Sequence, residues 1–201
     1  MRILALLVAG VMTSACTSGP QPTDDSSYVD ELAADRATKD QFMTEDRESP
    51  IPADKKTSLL PLKYFPPDPS LVVPAALKLQ DERPVFEMPT STGTIRRYQL
   101  VGRLEFTLQG QSMTLGAFVE EGTRQIETLF VPFADQTTGT ETYPAGRYLD
   151  LHPTGTGYYT VDFNRAYNPY CAYNATYECP YPPPSNRLKV PVRAGEKVPG
   201  A

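Results

Sequence analysis

The sequence predicts a mainly β domain of the α+β class, an antiparallel meander that forms a small barrel or sandwich. Two observations lead to this prediction. Beyond residue 70, short runs of alternating apolar and polar residues follow one another with turn residues between them, which is typical of antiparallel strands. The 21 prolines are about twice the average usage and limit helical content, because proline ends helices. One N-terminal surface helix and proline-rich C-terminal loops complete the predicted architecture.

The chain begins with the pattern of a secretory signal peptide. Met1 and Arg2 precede an apolar run over residues 3–12, and small residues at 13–15 lead to Cys16. A positive start, an apolar middle and a small-residue cleavage site are the parts of a secretory signal. The apolar run is too short to cross a bilayer as a helix, which takes about 20 residues.

Cys16 directly after the cleavage site resembles the lipobox of bacterial lipoproteins, in which this thiol is acylated. The resemblance implies that residues 1–15 are a lipoprotein signal peptide, that Cys16 carries lipid and that residues 16–26 are a polar linker. The membrane is then a partner through this anchor at the bacterial cell envelope, on the periplasmic side of the outer membrane if the host has two membranes. An ordinary cleaved signal that leaves Cys16 free is the alternative.

Residues 27–201 are predicted to form a single globular domain, because their number fits one domain with one core. The chain carries a formal net charge of −5 and has no run of Lys or Arg. These two properties argue against nucleic acid as a partner and against polybasic contact with anionic lipid.

The domain is predicted to start with a helix over residues 27–47, for which Asp24, Asp25 and Ser26 offer N-cap oxygens. Its apolar stripe is thin, so we expect it to lie on the domain surface by a few contacts; a partner-binding helix is the alternative. Residues 49–70 contain six prolines and are predicted to be an extended strap, because neither a helix nor a central strand tolerates them. We expect the apolar side chains of the strap to plug a core or, alternatively, to form an interaction patch. These side chains are Leu59, Leu60, Leu62, Tyr64 and Phe65.

Residues 71–201 are predicted to form the β domain, and residues 98–108 are its clearest strand. Apolar and polar side chains alternate there, with Val101 as the one apolar exception on the polar face. Turn residues 109–111 connect this run to a second alternating run at residues 113–119, which predicts a β-hairpin. Further strands are predicted at residues 127–133, 147–151, 158–163 and 187–192.

Aromatic residues are concentrated in the last third, where nine of the twelve tyrosines lie between Tyr143 and Tyr181. This region contains the strings GRYLDL at residues 146–151, DFNRAYNPYCAYN at 162–174 and CPYPPPSNRL at 179–188. The strings resemble those of a bacterial lipoprotein family that is catalogued only as a domain of unknown function. The resemblance covers roughly residues 42–197, and it implies kinship without an established activity.

The polar residues of this region are embedded among tyrosines and prolines. Asn offers both a donor and an acceptor, and Arg offers a planar fork of donors. Aromatic walls with a few oriented polar groups are typical of a site for a small polar ligand, and an envelope protein is the alternative partner. The competing interpretation is structural, because Asn and Asp side chains also satisfy loop backbones through Asx-turns. The predicted ligand-binding residues are Arg147, Asp162, Asn164, Arg165, Tyr167, Asn168, Tyr170, Tyr173, Asn186 and Arg187.

Cys171 and Cys179 are predicted to form a disulfide, because acylation of Cys16 leaves an even pair in an oxidising compartment. Zinc fits poorly, since the C-x7-C spacing is unusual for zinc ligands and the chain has one His. A thiolate nucleophile at Cys171 with His152 as its base is the remaining alternative. The sequence predicts neither a metal nor a cofactor.

The sequence contains no nucleophile elbow, zinc-protease motif, phosphate-binding loop or dinucleotide fingerprint. We therefore hypothesise that the protein presents its Tyr/Asn/Arg-rich loops as a recognition site at the envelope. One alternative is a hydrolase or transferase with His152, Asp162 and Glu141 as acid–base candidates. The other is a structural envelope protein without a ligand.

Overall fold

The computed structural model describes residues 25–200, and the predicted signal peptide, Cys16 and most of the predicted linker lie outside them. Within residues 25–200 the chain forms two α-helices and then seven β-strands. The helices are α1 (Asp25–Glu45) and α2 (Lys56–Leu59). The strands are β1 (Val72–Leu79), β2 (Val85–Pro89), β3 (Ile95–Leu108), β4 (Gln111–Glu120), β5 (Leu129–Phe133), β6 (Arg147–Leu151) and β7 (Tyr158–Asp162).

The strands form one antiparallel sheet that curves into a half-barrel. Its order is β6-β5-β4-β3-β1-β7, and β2 pairs with the first residues of β3. The consecutive strands β6 and β7 lie at the two ends of this order, although only residues 152–157 join them. Seven peptide steps span at most about 25 Å, so the two edges must approach each other. The predicted mainly β architecture with an N-terminal helix is confirmed.

Strand β3 changes face at a β-bulge. Leu100 pairs with Phe118, whereas Gly102 already pairs with Ala117, so Val101 has no partner in β4. A bulge of this kind reverses which side chains of a strand face the core. Val101 is therefore buried in the main core, whereas Leu100 belongs to a cluster on the other side. The prediction of one continuous apolar face is wrong at this point, and the bulge explains the apolar exception on the polar face.

The two sides of the sheet carry separate apolar clusters. The main core draws on six strands, and Leu104, Leu115 and Phe133 within it have no measurable exposure. Burying one such side chain contributes about 1.5–3 kcal/mol relative to leaving it in water. On the other side lies the smaller cluster, whose members are Met88, Tyr98, Leu100 and Phe118, with Phe86 and Phe130 packed against them.

Helix α1 lies against the domain by polar contacts more than by an apolar face. Of its 21 residues, Leu32 and Met43 are buried. Lys39 forms an ion pair with the buried Glu196, near the end of the described chain. The helix thus matches the predicted surface helix with a few contacts. No helix among residues 25–200 has the length and apolar character needed to cross a membrane.

The strap between α1 and β1 is less extended than predicted. A 3-10 turn (Ala53–Lys55) and the short α2 form within it, because its prolines leave residues 53–60 free for helical turns. Leu62 plugs a core as expected, in a third cluster where it meets Met43 of α1 and Tyr173 of the C-terminal loops. The strap therefore joins α1 to these loops.

Residues 187–192 do not form the predicted strand. One parallel bridge pairs Arg187 with Ala134, and Pro191 lacks the N–H that a continuing ladder needs. Alternate side chains of the segment are nevertheless buried, which explains why the sequence shows a period of two. The buried side chains are Leu188, Val190 and Val192.

Candidate functional site

A pocket of about 720 Å³ lies between α1 and the side of the sheet that faces away from the main core. Helix α1 forms one wall, strands β3, β5 and β6 form the second, and the C-terminal loops form the third. We call it the tyrosine pocket. Its tyrosines are Tyr98, Tyr148, Tyr167, Tyr170 and Tyr177.

The wall formed by the sheet is a chain of aromatic rings. Tyr98 stacks on Phe130 with ring centroids 5.3 Å apart, and Phe130 meets Tyr148 edge to face at 4.7 Å. Tyr148 in turn meets Tyr167 edge to face at 5.8 Å. Tyr148 lies on this side because its neighbour Leu149 points into the main core, and successive strand side chains alternate in direction. The rings therefore form a continuous surface.

Hydrogen bonds hold two of these tyrosines in place. Tyr148 Oη donates to the carbonyl oxygen of Pro180 at 2.6 Å, and Tyr167 Oη donates to Asp150 Oδ2 at 2.7 Å. Burial raises the pKa of both phenols far above the usual range, and the Asp150 carboxylate raises that of Tyr167 further. Both phenols are therefore neutral donors at physiological pH.

The two cations of the tyrosine pocket are paired with carboxylates. Lys39 of α1 pairs with Glu196, which is almost fully buried. Arg96 of β3 pairs with Glu120 of β4, and its Nε lies 3.9 Å from Glu178. These pairs neutralise both cations within the wall.

Helix α1 is also joined to the loop that follows β7. Tyr28 Oη lies 2.9 Å from both carboxylate oxygens of Asp162, and burial together with this carboxylate raises the pKa of Tyr28. Arg165 Nη2 lies 2.7 Å from Glu31 Oε1, and Arg165 also pairs with Asp35. Because Arg165, Glu31 and Asp35 are partly exposed, each such pair contributes about 0–1 kcal/mol.

Five of the ten predicted ligand-binding residues lie in three separate places. Tyr167 and Tyr170 line the tyrosine pocket. Asn164 and Arg165 line a smaller cavity of about 340 Å³ between α1 and the loop after β7. Tyr173 lies in the cluster formed by α1 and the strap, where its Oη donates to the Glu196 carboxylate at 2.8 Å.

Asp162 and Asn164 connect loops to one another. Asp162 caps the 3-10 turn Phe163–Arg165 and accepts the N–H of Asn164 at 2.9 Å. The side chain of Asn164 accepts the N–H of Asp68 and donates to the carbonyl of Asp68, both at 2.8 Å. These two hydrogen bonds join the loop to the strap. They agree with the structural interpretation of these residues, in which Asn and Asp side chains satisfy loop backbones and do not bind a ligand.

Two further predicted ligand-binding residues are buried, and their side-chain amides form hydrogen bonds with main-chain groups. Asn186 accepts the N–H of Gly116 at 2.7 Å and donates to the carbonyl of Gly116 at 2.9 Å. Asn168 Nδ2 donates to the carbonyl of Lys197 at 2.7 Å. Arg187 is exposed and lies outside the lining of the tyrosine pocket.

Arg147 points into the fold and not towards the tyrosine pocket. Its guanidinium lies 3.0 Å from Asp135 Oδ2 and donates to the carbonyl of Val192 at 2.8 Å. Burial lowers the pKa of Arg147, which the neighbouring Asp135 partly offsets. Arg147 therefore stabilises the fold and does not line the tyrosine pocket.

The three acid–base candidates have separate partners. His152 Nδ1 lies 3.2 Å from the carbonyl oxygen of Glu127. Glu141 pairs with Arg193, whose hydrogen bond lowers the pKa of this carboxyl. Asp162 is engaged by Tyr28 and by its own loop. No hydrogen bond or ion pair in residues 25–200 joins two of the three, so the fold does not assemble them into one catalytic group.

Cys171 and Cys179 lie in contact, and both thiols are free in the structure. The N–H of Cys171 donates to Cys179 Sγ at 3.1 Å, and Tyr143 Oη donates to Cys171 Sγ at 3.9 Å. A hydrogen bond from the Cys179 thiol lowers the pKa of Cys171 to about 7 and raises the pKa of Cys179. The two residues of the predicted disulfide are thus adjacent in the fold. Cys179 also lines the tyrosine pocket.

Sequence analysis missed most of the pocket wall. It did not single out Lys39, Tyr98, Phe130 or Asp150, all of which line the tyrosine pocket. A signal for the sheet wall does exist, since Phe130 and Asp150 are opposite each other in β5 and β6, on the face away from the core. An aromatic residue on that face indicates that something covers it. No local pattern indicates that α1 provides the cover.

Fold and pocket together define a β half-barrel whose outer face forms a tyrosine-lined pocket with an N-terminal helix. Residues 58–197 match the family described as "Protein of unknown function (DUF1684)", and the chain belongs to that family. The chain is also similar to an uncharacterized protein of Haloarcula marismortui, whose structure was solved by solution NMR. The two share 41% sequence identity and a TM-score of 0.69, over 87% of this chain and 96% of that one. No curated protein matches the sequence.

Proposed function

We propose that this protein is a lipid-anchored envelope protein that binds a small polar ligand in the tyrosine pocket. The observation that carries the proposal is the pocket itself. Its volume of about 720 Å³ falls in the range of about 300–1,000 Å³ that is usual for small-molecule sites, and aromatic walls with a few polar groups are their usual lining.

The polar atoms of the pocket that lack a partner indicate which chemical groups a ligand should carry. The hydroxyls of Tyr98, Tyr170 and Tyr177 have no hydrogen-bond partner within residues 25–200, and all three side chains line the pocket. Asp150 supplies carboxylate oxygens at the same wall. A ligand that combines apolar surface with polar or charged groups would therefore bind more favourably than a hydrocarbon, which would leave these groups without partners.

A variant that fills the pocket tests this proposal. Thr38 is exposed on α1 and lines the pocket, whereas the neighbouring Ala37 is exposed outside it. We would screen the purified full chain against sugars, amino acids and small amines by ligand-observed NMR. Thr38→Trp is expected to abolish binding, and Ala37→Trp is expected to preserve it. Equal binding by both variants, or no binding of any compound to the unmodified chain, would overturn the proposal.

The second part of the proposal is the tether at Cys16. It is supported by the order of positive start, apolar run, small residues and cysteine at the beginning of the chain. Two or three acyl chains, at ~0.8 kcal/mol per buried methylene, anchor a protein stably where one chain does not. We expect mass spectrometry of the membrane fraction to show a protein that begins at an acylated Cys16. Cys16→Ser should lose the lipid, and an intact leader on cytosolic protein would refute the tether.

In that compartment we expect Cys171 and Cys179 to form a disulfide, and their adjacency supports this. The two thiols would give up two electrons and two protons to a disulfide-donating oxidant of the envelope. Labelling of unfolded, purified protein with a maleimide should modify these two thiols only after reduction. Two thiols that titrate without reductant would exclude the bridge.

A further inference from the structure

We infer that the tyrosine pocket selects a small organic cation, such as a quaternary ammonium group, over a neutral molecule of the same shape. This inference rests on the proposed function, because it names the ligand class of the same pocket. It depends on two features of the pocket, which are a surplus of negative charge and the faces of its aromatic rings.

The cations of the pocket are already neutralised by the protein itself. Lys39 pairs with Glu196, and that carboxylate is almost fully buried. Arg96 pairs with Glu120 across the β3–β4 hairpin. An anionic ligand would have to compete with these carboxylates for both cations, so the pocket offers an anion little free positive charge.

The carboxylates of the pocket are less fully neutralised. Asp35 pairs with Arg165, but Asp150 has no ion pair within residues 25–200 and accepts a hydrogen bond from Tyr167. Glu178 lies 3.9 Å from a guanidinium that is already bound to another carboxylate. The pocket therefore carries residual negative charge, which a bound cation would compensate.

The aromatic rings of the pocket already bind cations on their faces. Lys39 Nζ lies 5.0 Å from the ring centroid of Tyr167, and Arg96 Cζ lies 5.7 Å from that of Tyr98. Both distances are within the range of about 6 Å in which the ring quadrupole attracts a cation. Rings of the same kind, Tyr170 and Tyr177, line the pocket without such a partner within residues 25–200.

An organic cation suits these features better than a metal ion or a sugar does. Within residues 25–200, no group of three or more His, Cys, Asp or Glu side chains is placed to hold a metal ion. A neutral sugar could use the ring faces and the carboxylate, but it would leave the residual charge uncompensated. An alkylammonium group buries its methyl groups against the rings and places its charge near Asp150.

The experiment compares choline with its uncharged analogue, in which carbon replaces nitrogen. Both are titrated into the full chain, and binding is followed by calorimetry and by the NMR signals of the tyrosine rings. Choline is expected to bind about tenfold more tightly than the analogue. Asp150→Asn keeps an acceptor for Tyr167 but removes the charge, so it should weaken choline about tenfold and leave the analogue unchanged. Glu105→Gln removes a charge from an exposed position of β3 outside the pocket and is the matched control.

The outcomes separate this inference from the proposed function. Equal affinity for choline and the analogue, or equal effects of Asp150→Asn and Glu105→Gln on choline, would overturn the selection for a cation. A neutral sugar that binds and that Thr38→Trp excludes, while choline does not bind, would overturn the inference and support the proposed function. If no compound of the screen binds at all, both fail together.

Discussion

Arg147 and Asp135 form an ion pair inside the fold, with Nη2 and Oδ2 3.0 Å apart and both side chains at most 1% exposed. The same guanidinium donates to the carbonyl oxygens of Val192 at 2.8 Å and Glu196 at 3.2 Å, and also to that of Ala194. One side chain of β6 thus holds both the turn after β5 and the C-terminal segment. Glu196, which pairs with Lys39 of α1, belongs to that segment.

Arg147→Met should therefore destabilise the fold strongly. The substitution leaves Asp135 as a buried carboxylate without its cation, and removing one partner of a buried pair costs about 3–5 kcal/mol. Urea unfolding followed by circular dichroism measures the loss. Arg193→Met, which breaks the exposed pair with Glu141, is the matched control and should leave the unfolding midpoint almost unchanged. Equal effects of the two substitutions would mean that the buried pair is not formed.

Asn186→Ala tests the second buried polar residue. Asn186 exchanges two hydrogen bonds with Gly116 and donates to the carbonyl of Pro132 at 2.7 Å. Loss of the amide leaves buried main-chain groups unsatisfied, at about 1–3 kcal/mol each. We expect the free energy of unfolding to fall by about 3 kcal/mol.

The matched control for Asn186 is its exposed neighbour. Arg187→Ala should change the free energy of unfolding by less than about 0.5 kcal/mol, as is usual for surface substitutions. Differential scanning calorimetry of both variants distinguishes them. A stable Asn186→Ala variant that loses ligand binding would instead support the original expectation that Asn186 contacts a ligand.

The position of Val101 at the bulge in β3 leads to a further prediction. Val101 is 2% exposed in the main core, although the plain alternation of residues 98–108 places it on the polar face. Val101→Ala should cost about 2 kcal/mol, from two buried carbon groups and the cavity they leave. Thr107→Ala, at an exposed position that plain alternation assigns to the same polar face as Val101, should have little effect on chemical denaturation. If both substitutions were equally mild, the bulge would not exist in solution.

The reduced cysteine pair should titrate unequally. The hydrogen bond from Cys179 lowers the pKa of Cys171 to about 7, so the ultraviolet absorbance of the thiolate should rise near neutral pH, not near the ordinary thiol value of about 8.5. Because the folded pKa of Cys171 is the lower one, its ionisation stabilises the folded state increasingly as the pH rises from about 7 to about 8.5, and this contribution is lost as the pH falls again. Above about pH 8.5 the raised pKa of Cys179 acts in the opposite direction and lowers stability. Cys179→Ala removes the donor and should return the titration of Cys171 towards the ordinary value. An unchanged titration in that variant would contradict the assigned cause.

Local sequence patterns were sufficient to predict the central hairpin and strands β5, β6 and β7. Residues 98–108 and 113–119 were predicted as paired strands, and β3 and β4 contain them. Gln109 and Gly110 have φ values of 50° and 74°, the left-handed conformations that a two-residue hairpin turn requires. Such a turn and its alternating flanks are encoded within about 25 residues of sequence, so they can be recognised without the rest of the fold.

The bulge at Val101 and the walls of the tyrosine pocket could not be recognised in that way. A bulge changes the direction of side chains without changing the order of residues, so alternation alone places Leu100 and Leu104 on one face when they lie on two. The tyrosine pocket depends on distant segments, since Lys39 of α1 meets Tyr167 through contacts 128 positions apart in the chain.

Composition and short-range periodicity therefore established that this chain forms an antiparallel β domain with a polar N-terminal helix and an aromatic, loop-rich C-terminal third. Whether a given Asn, Asp or Arg of that third faces a cavity or the main chain was settled by long-range packing. The physical reason is that one donor or acceptor serves a buried backbone group as well as it serves a ligand, and only the neighbours brought close by folding decide which of the two it meets.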